Sequence, residues 1–149
     1  MMKTKKRILF NSTIIMLLIL SMFFIGSLTV LAKSSSVSFT MNWDGRYING
    51  KNNGVYHSLS AGGVQIRGTI ENTYTRPGAV GPNTITIELW NKTTGNYFGS
   101  VKVTPKANSR KSFSGTFSSV GGGNKYYLII YRANADGRRM VGNATLSNI

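Results

Sequence analysis

Three observations predict an all-β fold for the chain beyond residue 32. Apolar and polar residues alternate with period two, turn signals rich in Gly, Asn and Pro recur at short intervals, and helical periodicity is absent. Together they imply about eight short antiparallel strands in a β-sandwich or a small Greek-key barrel, preceded by an N-terminal hydrophobic signal segment.

That leading segment comes first. Lys3, Lys5, Lys6 and Arg7 form a positive start, residues 14–31 are almost wholly apolar, and Val30-Leu31-Ala32 has the small-residue shape of a signal-peptidase site. Residues 1–32 therefore read as a signal peptide. The alternative is an uncleaved membrane anchor, since the apolar run approaches the ~20 residues that span a bilayer. Gly26, Ser27 and the Val-x-Ala ending favour cleavage. Either way residues 33–149, one domain, lie outside the cytoplasm, secreted or tethered to the outer face of the membrane.

The strands follow in order. Val37, Phe39, Met41 and Trp43 alternate with Ser36, Ser38, Thr40 and Asn42, and an Asn- and Gly-rich loop over 44–54 comes next. Val55, His57 and Leu59 predict a short strand that Ala61-Gly62-Gly63 ends. Val64, Ile66, Gly68 and Ile70 share a face of the next strand, and residues 75–83 carry the turn chemistry of a loop. Ile85, Ile87 and Leu89 face inward, with Thr84, Thr86 and Glu88 outward. Residues 91–95 read as a hairpin connection. The returning strand places Tyr97, Gly99, Val101 and Val103 on one face and Phe98, Ser100 and Lys102 on the other. Phe113, Gly115 and Phe117 alternate with serine and threonine, and Gly121-Gly122-Gly123-Asn124 is expected to close that strand as a hairpin loop. Residues 126–131, apolar on both faces, predict a central strand covered on each side. Met140, Gly142, Ala144 and Leu146 complete the set.

Composition narrows the function. The whole chain carries +14, and beyond Ala32 fourteen Lys and Arg still face only Asp44, Glu71, Glu88 and Asp136, a net +10. Such a field draws anionic polymers. The absence of cysteine excludes disulfide scaffolds and thiol chemistry, and in an exported domain it points to a bacterial source. With one histidine, His57, and four scattered carboxylates, the sequence offers no metal set and no imidazole-based nucleophile, and it implies no cofactor. The glycines at 121–123 precede a strand rather than a helix, so they make no phosphate cradle.

Binding residues are easier to find. Lys102, Lys106, Arg110 and Lys111 cluster around Pro105, and Arg132, Arg138 and Arg139 around Gly137, giving two candidate anion-binding groups. Trp90 falls opposite Ile85, Ile87 and Leu89 and is the leading aromatic contact, with Tyr47, Tyr74 and Phe98 as similar candidates. The expected function is a non-enzymatic, exported, basic module that adheres to an anionic cell-envelope or matrix polymer: teichoic acid, acidic polysaccharide or anionic lipid, with nucleic acid ranking lower. Two alternatives stand beside it. One is a bacteriocin-like or membrane-active toxin. The other is a polysaccharide hydrolase using Glu71 and Glu88 across a cleft, which requires their strands to pair.

Overall fold

The computed structural model describes residues 33–107 and 109–149; the signal segment expected over 1–32 lies outside the described residues. Seven antiparallel strands make one continuous sheet: β1 (Ser34–Met41), β2 (Tyr47–Asn49), β3 (His57–Thr75), β4 (Ile85–Asn91), β5 (Tyr97–Val103), β6 (Arg110–Arg132) and β7 (Arg138–Asn148). The order is β1-β7-β3-β6-β4-β5, with β2 also paired to β6. Among the described residues there is no helix.

The count falls below the eight expected strands because two pairs of short strands are fused. Ala61-Gly62-Gly63 and Gly121-Gly122-Gly123, each expected to end a strand, instead lie opposite each other, with Ala61 beside Gly121 and Leu59 beside Gly123. Both strands bend there together, with register shifts on β3 and left-handed backbone at Gly62, Gly122 and Gly123. Glycine adopts this conformation more readily than residues with a side chain. No hairpin forms at residues 121–124. A short strand, β2, appears inside the 44–54 loop.

The bend divides the sheet into two layers. The first half of β6 pairs with β3, whose other edge holds β7 and then β1. The second half of β6 lies between β4 and β2, and β5 completes that layer. Strands β1 and β5 end the order without pairing to each other, so the sheet is an open sandwich and not the closed barrel.

Period-two alternation fills the space between layers. Val64, Ile66 and Ile70 of β3, Met140, Ala144 and Leu146 of β7, and Phe113 and Phe117 of β6 face Ile85, Ile87 and Leu89 of β4, Val101 and Val103 of β5, and Tyr126, Leu128 and Ile130 of β6 in a single apolar cluster. Each large aliphatic side chain so buried contributes about 1.5–3 kcal/mol. Gly115 allows the closest approach, since a Cβ there would overlap the Val101 side chain of the other layer. The cluster lies wholly within the compact unit formed after residue 31.

Candidate functional site

The two outer faces differ in chemistry. Over the first layer, register places Ser36, Thr145, Arg67 and Ser114 in one cross-strand row and Ser38, Asn143, Thr69 and Ser112 in the next, a hydroxyl- and amide-rich surface. Over the second layer the face opposite the core carries five aromatic residues among polar ones. Tyr47, Tyr131, Thr86 and Lys102 form one row; Asn49, Ile129, Glu88 and Ser100 form the second; Tyr127, Trp90 and Tyr97 form the third.

Local geometry ties these rows together. The Trp90 and Tyr97 ring centroids lie 5.1 Å apart, tilted by 46°. The Trp90 indole N–H donates to Glu88 Oε2 at 2.9 Å, and the Tyr131 hydroxyl donates to Glu88 Oε1 at 3.0 Å. One carboxylate thus fixes two rings in neighbouring strands. Its hydrogen bond, with smaller help from desolvation, raises the Tyr131 pKa above its ordinary value, so the phenol remains a donor. Burial raises Tyr127 likewise, aided by the neighbouring Tyr47 and Tyr56 hydroxyls. Tyr56 meets Tyr127 edge-on at 6.4 Å. The Lys92 and Lys125 ammonium groups stand 5.2 and 5.3 Å from the Tyr56 ring centroid, within cation–π range. Tyr47 and Tyr97 are about half exposed.

The π-faces open to a ligand are those of Tyr47 and Tyr97 and, in part, of Trp90 and Tyr131, while Tyr127 is buried. Such faces stack on the C–H side of sugar rings or on bases, while the lysines attract carboxylate or phosphate. Glu88 already accepts from two side chains, which makes it a ring-orienting group.

The expected site residues distribute unevenly over this geometry. Trp90 and Lys102 lie on the aromatic face. Lys106 and Lys111 are exposed elsewhere, and Arg110 donates twice to Glu71 Oε2, at 3.1 and 2.9 Å, on the outer face of the first layer. The first basic cluster is therefore divided between two faces. The second is occupied largely by internal bonds. Arg132 is no surface anion site: its side chain is fully buried and ion-paired with Asp136. Its guanidinium also donates to the carbonyls of Asn42, Trp43, Gly45 and Arg138. Asp136 accepts from the Asn83 and Arg138 amides as well. Arg138 donates to the Val80 carbonyl and the Thr75 hydroxyl, and Arg139 to the Thr73 hydroxyl.

Among the other aromatic candidates, Tyr47 joins the face, Phe98 packs inward against Tyr126, and Tyr74 lies at the far end beside Trp43. The register shift between Glu88 and Trp90 carries Tyr97 outward and Phe98 inward, the reverse of simple alternation. Residues 126–131 alternate between faces: 126, 128 and 130 enter the core, while on the opposite face Tyr127 is buried and Ile129 and Tyr131 are half-buried. Glu71 and Glu88 do not meet. Their strands are separated by β6, and each carboxylate faces outward from a different layer. The strand pairing that the hydrolase reading requires is absent. His57 is buried against Ser35, its Nδ1 2.8 Å from the hydroxyl, and no group of three metal-ligating side chains occurs among the described residues.

No family model matches the sequence, and no curated protein is significantly similar to it. Among solved structures, the chain is similar to a carbohydrate-binding module from Cellvibrio mixtus lichenase 5A in complex with cellotriose, at 9% identity and a TM-score of 0.46, over 78% of this chain and 89% of that one. It is also similar to a protein of Bacillus endospore appendages, which form disulfide-linked pili, at 13% identity and a TM-score of 0.39, over 79% and 86%. A third likeness is to infectious bursal disease virus VP2, at 9% identity and a TM-score of 0.49, over 80% of this chain and 33% of that one. At these values none of the likenesses assigns a ligand to this chain.

Proposed function

We propose that the protein is an exported, non-enzymatic module that binds a polysaccharide chain of the cell envelope or matrix on the aromatic face of its second layer, with anionic polymers preferred. The single observation that carries this reading is the Trp90–Glu88–Tyr131 hydrogen-bonded set, which holds two rings of adjacent strands in one orientation beside Tyr47, Tyr97 and Tyr127. Rings fixed before a ligand arrives lose little entropy on binding. The anionic preference rests on Lys92, Lys102 and Lys125 around the same face and on the +10 charge of residues 33–149. Cleavage after Ala32 makes the product secreted; retention of 1–32 tethers it.

Affinity electrophoresis of residues 33–149 through neutral and acidic polysaccharides, teichoic acid and single-stranded nucleic acid tests the reading. Retardation by an acidic polysaccharide is expected, weakening with salt. Trp90→Ala should weaken it about 30-fold, the effect of removing a central aromatic anchor worth about 2 kcal/mol. Unchanged retardation in that variant, or none by any glycan at low salt, sinks the proposal. Retardation by nucleic acid alone transfers the site to that ligand.

A further inference from the structure

A second exposed surface occupies the end of the sandwich where β3 hands over to β4. From Pro77 to Pro82 the connecting loop reads Pro-Gly-Ala-Val-Gly-Pro, with no side chain that ionises or hydrogen-bonds, and Val80 at its tip is 60% exposed. Beside it Trp43 and Tyr74 are 38% and 50% exposed, their ring centroids 6.1 Å apart. The Arg76 guanidinium stands 5.3 Å from the Trp43 ring centroid. Arg46 is exposed on the adjoining loop, and Arg138 and Arg139 are partly exposed beside Thr75 and Tyr74. Opposing carboxylates are scarce, because Asp136 is buried against Arg132 and Asp44 alone remains.

These loops are held in fixed relation. Arg132 donates to the carbonyls of Asn42 (2.6 Å), Gly45 (2.8 Å) and Arg138 (3.1 Å), while Asp136 Oδ2 accepts from the Asn83 amide at 3.0 Å. The Arg76 amide donates to the Gly137 carbonyl at 2.9 Å. An apolar tip with an indole, a phenol and guanidinium groups around it brings together the side-chain chemistries that a bilayer interface takes up. There acyl chains, the head-group boundary and lipid phosphates follow in that order. Sugar recognition needs hydrogen-bonding side chains converging around the rings, and the loop supplies none.

We propose that this end of the domain docks on an anionic lipid bilayer. Val80 and Trp43 enter the interface, and Arg46 and Arg76 meet lipid phosphates. The aromatic face of the second layer takes no part.

The test uses residues 33–149, which hold the apolar cluster described above, with a cooperative thermal melt confirming that each variant is folded. Vesicles of phosphatidylcholine are compared with vesicles containing one third phosphatidylglycerol, at low and high salt. In a Trp90→Phe background Trp43 is the sole indole. Its emission should shift to the blue on the anionic vesicles alone and be quenched by lipids brominated in the acyl chain. Val80→Asp should reduce vesicle partitioning at least about tenfold, and Arg76→Glu should reduce it and flatten its dependence on salt. Three results overturn the proposal: no sedimentation with anionic vesicles at low salt, binding unchanged by Val80→Asp, or binding without a change at Trp43. A blue shift caused by soluble acidic polysaccharide and not by vesicles overturns the lipid assignment as well. Because glycan retardation and vesicle sedimentation are read separately, either can fail alone.

Discussion

Replacing Asp136 by Asn removes one charge from the buried Arg132–Asp136 pair at almost constant shape, so the cost reports electrostatics with little contribution from packing. Both side chains are fully shielded from solvent. Breaking such a pair from one side costs about 3–5 kcal/mol, because the remaining charge has lost its counterion without regaining water. Arg132 keeps its bonds to the carbonyls of Asn42, Trp43, Gly45 and Arg138, which places the expected loss near the lower end, about 3 kcal/mol. Against a total stability of about 5–15 kcal/mol this is a large fraction. For a domain of this size it lowers Tm by about 10–15 °C. Urea unfolding followed by circular dichroism gives the free energy. A cycle with Arg132→Gln gives the coupling between the partners, expected at about 2 kcal/mol or more. A loss below about 1 kcal/mol for Asp136→Asn, or single losses that simply add, would refute the account.

Further outcomes follow from individual contacts. Gly142→Ala places a Cβ into the Phe39 ring of the neighbouring strand and should destabilise the domain by about 1–3 kcal/mol, measured by the same urea transition; a neutral result contradicts the packing described. Burial lowers the His57 pKa below 6.5, and its Nε2 has no partner. Below pH 6.5 the unfolded chain takes up a proton that the folded domain resists, so stability is level above that pH and falls as the pH drops toward the folded value. His57→Gln should flatten that slope, and equal slopes in both proteins would discount the buried imidazole. Tyr131→Phe removes one of the two bonds to Glu88 and should cost about 1 kcal/mol in stability, while weakening glycan retardation less than Trp90→Ala does. Intact mass of the protein recovered from the medium should begin at Lys33; retention of residues 1–32 identifies the tethered form instead.

The all-β class and most strand positions are legible in the sequence because period two is a local property. Ile85, Ile87 and Leu89 are buried as their alternation requires, and the hairpin at Asn91 closes through Gly95. What local pattern cannot carry is partnership. The breaks over residues 61–63 and 121–123 look like two separate strand ends until Ala61 is seen opposite Gly121, where both strands bend in step. The same limit hides most of the aromatic face. Trp90 stands out by parity, but Tyr127 and Tyr131 merge into an apolar run, and Tyr97 changes sides through a register shift at its partner strand. Their alternation at 127 and 131 is the one available signal. Arg132 and Asp136 show the converse. Four residues apart beside a turn they resemble solvated charges, and only the loops folded over them make them an interior pair.

The pairing of β1 with β7 has a consequence for how the chain is made. Ser34 lies opposite Ser147, and the Asn148 amide donates to the Lys33 carbonyl at 3.2 Å. Among the described strands β1 therefore pairs with β7 alone, about a hundred residues later in the chain. Synthesis at about 5–20 residues per second leaves β1 with an open edge for several seconds at least. Long-range pairing of this kind also folds slowly once complete. A nascent chain with this topology cannot complete its first layer until β7 has been synthesised.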